Sequence, residues 1–257
     1  MSAEPQYVAH DADIAPVAAL IADPTRAAIL TALLDGRPLA AGELAHLAGV
    51  SAATASAHLA RLLDGGLVMV TQQGRHRYYR LAGPQVAAVI EALAHISPRP
   101  PVHSLRQSRQ AAALAGARTC YDHLAGRAGV ALLAALLDSG RLDKQSLNGC
   151  ATGTSAAADG TYAGEFEVTK AGAATLAAFG INLEEVRGSR RRFAGACLDW
   201  TQRRPHLNGA LGAAITARLL ELCWFERGRD RRALRLTDVG RDGLAETFGC
   251  VLSDGPG

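Results

Sequence analysis

Apolar residues over the first hundred positions recur at intervals of three and four, with short polar breaks between the runs. In IAPVAALIADPTRAAILTALLDG they predict two helices. The second opens at Asp23-Pro24, an acidic cap followed by proline at the first helical position. Its core face is Ile29, Leu30, Leu33 and Leu34. PLAAGELAHLAGV predicts a short helix over 41–47 with Leu44 and Leu47 turned inward. Gly49 then turns the chain, and Ser51 caps a fourth helix by offering its hydroxyl to free backbone N–H groups. On that helix Ala55, Leu59 and Leu62 share one face. Ser51, Thr54, Ser56, Ala57, His58 and Arg61 are left off it. LVMVTQQGRHRYYRLAG then gives two β-rich runs around Gly74, a hairpin with Arg75, His76 and Arg77 at or just beyond its tip. PQVAAVIEALAHI returns to a helix.

A helix that keeps hydroxyls, an imidazole and a guanidinium along one side is either a solvated surface helix or a reading head. Its setting decides for the second. A short capped helix precedes it and a basic hairpin follows, the order of a winged helix-turn-helix, whose second helix lies in the DNA major groove. ADPTRAAILTALL, ELAHLAGVSAATASAHLARLLDGGLV and GRHRYYRL resemble the ArsR/SmtB-type transcriptional repressors over about residues 14–96. That resemblance implies a homodimer joined through the first and last helices of the domain, and binding to a double-stranded DNA operator that is lost when an effector binds. By position, Ser51, Thr54, Ser56 and His58 correspond to the family's recognition helix, and Arg75, His76 and Arg77 to its wing. Ala53 and Ala57 stand where relatives often carry a polar residue or His. The family's familiar metal sites are missing: ELAHLAG has no Cys-x-Cys element, and the last helix offers only Glu91 and His95.

SPRPPVHS, residues 97–104, is a stiff proline-rich linker, so the winged domain is assigned to 1–96 and a C-terminal sensing or dimerising domain to 105–257. The second part contains a repeat, about 118–181 and 197–250. HLAGRAGVALLAALL from His123 aligns with HLNGALGAAITARLL from His206. Each copy is expected to be a helix–hairpin–helix unit, with His123, Gly126 and Gly129 on one helical face and His206, Gly209 and Gly212 on another. The fold class expected is therefore mainly α with small β-hairpins. Glycine on such a face admits a close neighbour or a ligand. Just upstream stand CYDH (Cys120, Tyr121, Asp122) and CLDW (Cys197, Asp199, Trp200). Three readings stay open. The cysteines and histidines are core residues; or Tyr121 and Trp200 stack on a small organic effector that the His/Asp pairs orient; or Cys120, His123, Cys197 and His206 hold a metal ion or form a thiol switch. Arg118, Arg127, Arg203 and Arg204 are expected to lower the thiol pKa.

Bulk properties narrow the class without naming it. With 49% hydrophobic and 20% charged residues the 257-residue chain has a globular composition. No apolar run reaches the length of a membrane span. Five scattered cysteines argue against a disulfide framework and for a reducing, cytoplasmic setting. Net charge is +3, divided as −2 over residues 1–96 and +5 beyond, so any nucleic-acid binding must come from local arrangement. The basic run VRGSRRRF (Arg187, Arg190, Arg191, Arg192) is expected to be a solvated loop. No nucleophile–base–orienter set, phosphate cradle or HExxH motif is present, so an enzyme is not expected. An architectural DNA-binding protein without a small-molecule effector is the remaining alternative.

Overall fold

The computed structural model describes residues 12–98, 101–145, 164–228 and 232–252. The stretch 143–165, rich in Gly, Ala, Ser and Thr, makes the first half of the repeat longer than the second, and most of it, with Cys150, lies outside them. The chain divides into two compact units, one running to Leu33 and then over Arg37–Val86, the other comprising Leu34–Gly36 and the chain from Ala87. The boundary thus falls ahead of the linker assigned to 97–104. That linker separates two helices, but most of the helix before it belongs to the second unit.

The first unit contains α1 (Ala15–Ile21), α2 (Pro24–Leu33), β1 (Leu39–Ala40), α3 (Ala41–Leu47), α4 (Ala52–Asp64), β2 (Val68–Gln73) and β3 (His76–Leu81). Asp23 accepts the Arg26 amide at 2.9 Å, the acidic cap expected at α2. Arg26 itself turns back, its guanidinium donating to the Ala19 and Leu20 carbonyls, and so satisfies the open C-terminal end of α1. Three helices enclose Ile29, Leu30, Leu33, Leu44, Ala55, Leu59 and Leu62, all nearly or fully inaccessible. Leu47, expected inside, is 41% exposed. At about 100° per residue it lies on the far side of Leu44 from Ala45, and those two define the buried face of α3. The sheet runs β1-β3-β2, with Leu39 opposite Tyr79 and Gln73 opposite His76.

α5 (Pro84–Ile96) follows, with Ala87, Ile90 and Glu91 buried and Val89, Leu93 and Ile96 exposed on a stripe at helical spacing. The second unit continues with α6 (Leu105–Gly116), then β4 (Arg118–Cys120), β5 (His123–Ala125), α7 (Gly126–Asp138), β6 (Leu142–Lys144), β7 (Phe166–Val168), α8 (Lys170–Ala178) and α9 (Leu183–Arg187). It ends with β8 (Gly195–Leu198), β9 (Pro205–Asn208), α10 (Gly209–Glu221), β10 (Phe225–Arg227), β11 (Leu234–Leu236) and α11 (Asp238–Phe248). The order hairpin, helix, hairpin, helix occurs twice. Each copy therefore leads with a hairpin rather than the expected helix, and His123 and His206 sit on strands. The first hairpin closes through Tyr121-Asp122, with Tyr121 at φ 61°. A left-handed tyrosine is unusual enough that the residues gave no turn signal there.

α7 and α10 form the centre of this unit. Leu132, Leu133, Leu136, Leu211, Ile215 and Leu219 pack with Phe166, Phe179, Phe225 and Phe248 into one core. Trp224 adds an edge to Phe179 and Phe248. Two glycines bring the halves together. A Cβ on Gly129 would stand 2.3 Å from the Leu124 carbonyl and 3.4 Å from the His206 side chain. On Gly212 it would stand 2.6 Å from the Leu207 carbonyl and 3.3 Å from the His123 side chain. The close neighbours are thus each helix's own hairpin and the histidine of the other half.

Candidate functional site

In the first unit the exposed chemistry is arranged along α4 and the wing. Gly49, at φ 67°, reverses the chain after α3. Ser51 then caps α4, its Oγ accepting the Thr54 amide at 3.2 Å and lying 2.9 Å from the Thr54 hydroxyl. Ser51, Thr54, Ser56, Ala57 and Arg61 are all exposed on the side opposite Ala55, Leu59 and Leu62. That side carries three hydroxyls near the helix N-terminus, a methyl at Ala57 and a guanidinium one turn later, donors and acceptors of the kind that reach base edges and phosphates.

His58 does not join them. It stands one turn from both Ala55 and Leu62, at the margin of the buried stripe, and its Nδ1 lies 3.5 Å from the Asp23 carboxylate. Its side chain is 14% exposed. The residue read as part of the DNA-facing line is instead a tie between α4 and the cap of α2. Arg75, His76 and Arg77 are all exposed at the tip of the β2–β3 hairpin, with Arg75 Nε 3.4 Å from the His76 ring.

The second unit brings Cys120, His123, Cys197 and His206 together. Cys120 is directly opposite His123 across β4–β5, and Cys197 directly opposite His206 across β8–β9. The unequal spacings in the sequence, three residues and nine, become the same cross-strand pairing because the second hairpin has the longer loop. The two imidazoles stack, with ring centroids 5.1 Å apart and planes inclined by 27°. The two sulfurs are 4.0 Å apart. One donor atom from each of the four residues lies within 4.8 Å of all the others.

Around the cluster is a shell of fixed charge. Asp199, inaccessible to solvent, pairs with Arg118 at 3.0 Å. It also accepts from the amides of Gly126, Thr201 and Gln202 and from the Thr201 hydroxyl. Burial acts to raise its pKa, but Arg118 and these donors outweigh it and hold the carboxyl at about 2. Arg118 lies over the Trp200 ring, 4.9 Å from its centroid, and 3.8 Å from Glu91, which in turn pairs with Arg232. Glu91, one of the two polar residues that the last helix of the winged domain offers in place of the family's metal ligands, is thus committed to two arginines. Thr216 accepts the Leu124 amide at 2.8 Å and donates to the Gly212 carbonyl. No motif flagged Thr216, since its partner is 92 residues away.

Three further expectations change. The hydrogen bond to the Cys197 sulfur, with burial, pushes the Cys120 thiol well above its ordinary pKa, so the neighbouring arginines do not lower it. Burial, reinforced by His123, holds His206 well below its ordinary pKa. The basic run near 190 is largely paired: Arg191 with Asp122, Arg187 with Glu167, Arg192 with Glu165. The organic pocket expected at Tyr121, Trp200 and the two histidines is not open there. The gap lined by Leu124, Gly129, Leu207, Gly212 and Thr216 has a volume of about 10 Å³, room for one water at most. Trp200 is covered by Arg118 rather than open for stacking. A cleft of about 700 Å³ lies elsewhere, between α6, α7 and the β10–β11 hairpin.

No single helix among the described residues is long and apolar enough to cross a membrane. A family described as a helix-turn-helix domain matches residues 21–71. The uncharacterized HTH-type transcriptional regulator YdfF of Bacillus subtilis is 45% identical over 229 residues, covering 89% of this chain and 94% of that protein. The HTH-type transcriptional regulator CmtR of Mycobacterium bovis is 37% identical over 87 residues, 34% of this chain and 73% of its own length. Among solved structures, the cadmium metal-sensor CmtR of Mycobacterium tuberculosis is 34% identical. It covers 36% of this chain and 99% of its own, with a TM-score of 0.29.

Proposed function

The chain belongs to the HTH-type transcriptional regulators of the ArsR/SmtB family, and from that premise we propose that it is a homodimeric repressor whose hold on an operator is set by an effector bound in its C-terminal unit. It is a DNA-binding regulator and not an enzyme. The observation that carries the DNA-reading surface is the division of α4: three side chains fully buried on one side, and Ser51, Thr54, Ser56, Ala57 and Arg61 exposed on the other. The exposed wing residues Arg75, His76 and Arg77 extend that surface, and phosphates are their natural partners.

The test uses DNA selected from a random pool by the full-length protein. Thr54→Ala is expected to weaken binding to the selected site by about tenfold, the scale of one lost base contact. Arg75→Ala is expected to weaken binding to all sequences alike and to reduce the slope of log affinity against log salt by about one. Retention of wild-type affinity and salt slope by both variants removes the α4 assignment.

Homodimer formation is supported by α5, which leaves Val89, Leu93 and Ile96 exposed on one stripe, and by α1, which buries none of its residues. An apolar stripe of this kind is a helix-packing face without a partner among the described residues. Val89→Glu combined with Leu93→Glu is expected to convert a dimer to a monomer in sedimentation equilibrium, with operator affinity falling in parallel. A dimer that survives both charges places the interface elsewhere. The effector is assigned to the second unit because that unit holds the buried, polar, incompletely satisfied cluster. Operator affinity unmoved by any ligand of that unit favours the architectural alternative.

A further inference from the structure

We propose that Cys120, His123, Cys197 and His206 form a tetrahedral site for a thiophilic divalent cation, zinc being the natural occupant, built where the two hairpins of the C-terminal unit meet. The inference rests on the reading of that unit as the effector domain and names the chemistry of the effector.

Three observations on these residues converge. The first is geometry. A zinc ion bound by two thiolates and two imidazoles, at about 2.3 Å and 2.0–2.1 Å, sets its donors about 3.3–3.8 Å apart. The sulfurs here are 4.0 Å apart and all four donors lie within 4.8 Å. Side-chain rotation of about 1 Å or less closes them around an ion, with no backbone displacement.

The second is unsatisfied polarity. Nε2 of His123 and both ring nitrogens of His206 are buried without a hydrogen-bond partner among the described residues. His206 is fully inaccessible and His123 is 7% exposed. Buried polar atoms in folded proteins are almost always paired, because leaving them unpaired costs their desolvation. A cation satisfies one nitrogen of each ring, Nε2. A Cys120–Cys197 disulfide accounts for the two sulfurs and leaves the nitrogens as they are.

The third is the outer shell. His123 turns Nδ1 toward the Asp122 carboxylate at 3.3 Å, and Arg191 holds that carboxylate from behind. His206 turns Nδ1 toward Asp199 at 3.8 Å. A carboxylate behind each imidazole orients the ring and leaves Nε2 for a metal, the usual arrangement around metal-bound histidine. The two half-sites are copies of one pattern: cysteine and histidine paired across a hairpin, an aspartate beside the histidine.

Binding balances simply. The divalent ion displaces the two thiol protons to solvent, the imidazoles bind neutral, and the four-ligand site becomes uncharged. Two protons leave the thiols for each ion bound, and a third leaves the His123 ring wherever that ring is protonated.

The experiment titrates reduced, metal-free, full-length protein with Co²⁺ and then Zn²⁺, and measures operator binding on the same samples. One cobalt per chain is expected, with tetrahedral ligand-field bands and a thiolate-to-cobalt charge-transfer band that zinc abolishes. Cys120→Ser and Cys197→Ser are each expected to halve or abolish the charge-transfer band and weaken zinc binding by about 100-fold or more. Asp122→Asn, at a partly exposed residue, is expected to keep the thiolate band and weaken zinc binding about 10–100-fold. No charge-transfer band in the reduced protein, or a band undiminished in both serine variants, overturns the site. So does a reduced protein that takes up no cobalt but closes a Cys120–Cys197 disulfide under mild oxidant. The operator measurement separates the two levels. Cobalt bound through both thiolates without change in operator affinity keeps the site and overturns its role as effector. Operator binding intact in a protein that binds no cobalt overturns the site alone.

Discussion

Ala57→Glu is expected to lower operator affinity by about two orders of magnitude while leaving the fold intact. Ala57 is exposed in the middle of α4, between Thr54 and Arg61. Glutamate is a good helix former, so the substitution makes no demand on the helix itself. Toward duplex DNA it places a carboxylate where a methyl group had stood, and it draws Arg61, one turn further along α4, away from phosphate. Juxtaposing like charges at an interface costs several kcal/mol, and each 1.4 kcal/mol is about a factor of ten in affinity. The loss should be steepest at low salt, where phosphate repulsion is least screened. Ala57→Ser is the control: it keeps the size and adds a hydroxyl, and should stay within about threefold of wild type in this estimate of a surface contact. Fluorescence anisotropy on the selected operator, beside circular dichroism of both variants, makes the measurement. Wild-type affinity in a folded Ala57→Glu protein means that α4 does not lie against DNA.

The largest loss of stability is expected at Asp199. Its carboxylate joins Arg118, the start of α7 at Gly126 and the loop of the second hairpin through Thr201 and Gln202. Asp199→Ala leaves Arg118, which is inaccessible to solvent, with Glu91 at 3.8 Å as its remaining carboxylate among the described residues, and it strands the three amide donors. Breaking a buried ion pair from one side costs about 3–5 kcal/mol, a large fraction of a domain's stability. Both tryptophans of the chain, Trp200 and Trp224, lie in the second unit. Urea unfolding followed by tryptophan fluorescence therefore reads this unit. Arg118→Met should also destabilise, by exposing the opposite partner, and Arg118→Met with Asp199→Leu should recover part of the loss, because no lone charge remains. Additive losses in the double variant would mean that the pair is not the source. The prediction concerns folding, and it holds whether or not the cluster beside Asp199 takes up a metal.

The winged domain was largely legible because its signals are local. The cap at Asp23, the proline after it, the turn at Gly49 and the stripe Ala55, Leu59, Leu62 all act within a few residues of chain. The errors there were of rotation. Leu47 and His58 sit at the edges of helical faces, where one turn of spacing does not decide which way a side chain goes. Leu47 went outward, and His58 went to a carboxylate 35 positions away in the chain. In the second unit the repeat was visible and its histidines were singled out, but they were placed on helices. The hairpin at Tyr121-Asp122 puts a left-handed tyrosine beside its one usual turn residue, Asp122, with no glycine, proline or asparagine to mark the reversal, and glycines three apart imitate a helical face.

By itself, then, the sequence determined the helices of the winged domain, the polar side of α4, the basic wing and the doubling of the C-terminal half. Each is written in spacings that the geometry of a single helix or hairpin converts directly into a face. Only the tertiary structure decided that Cys120 meets Cys197, that Asp122 is held by Arg191 and that Glu91 is committed to arginines. Those contacts span 77, 69 and up to 141 residues. Over such separations local propensity carries no information, and the packing of α7 against the opposite hairpin sets which side chains share a buried space.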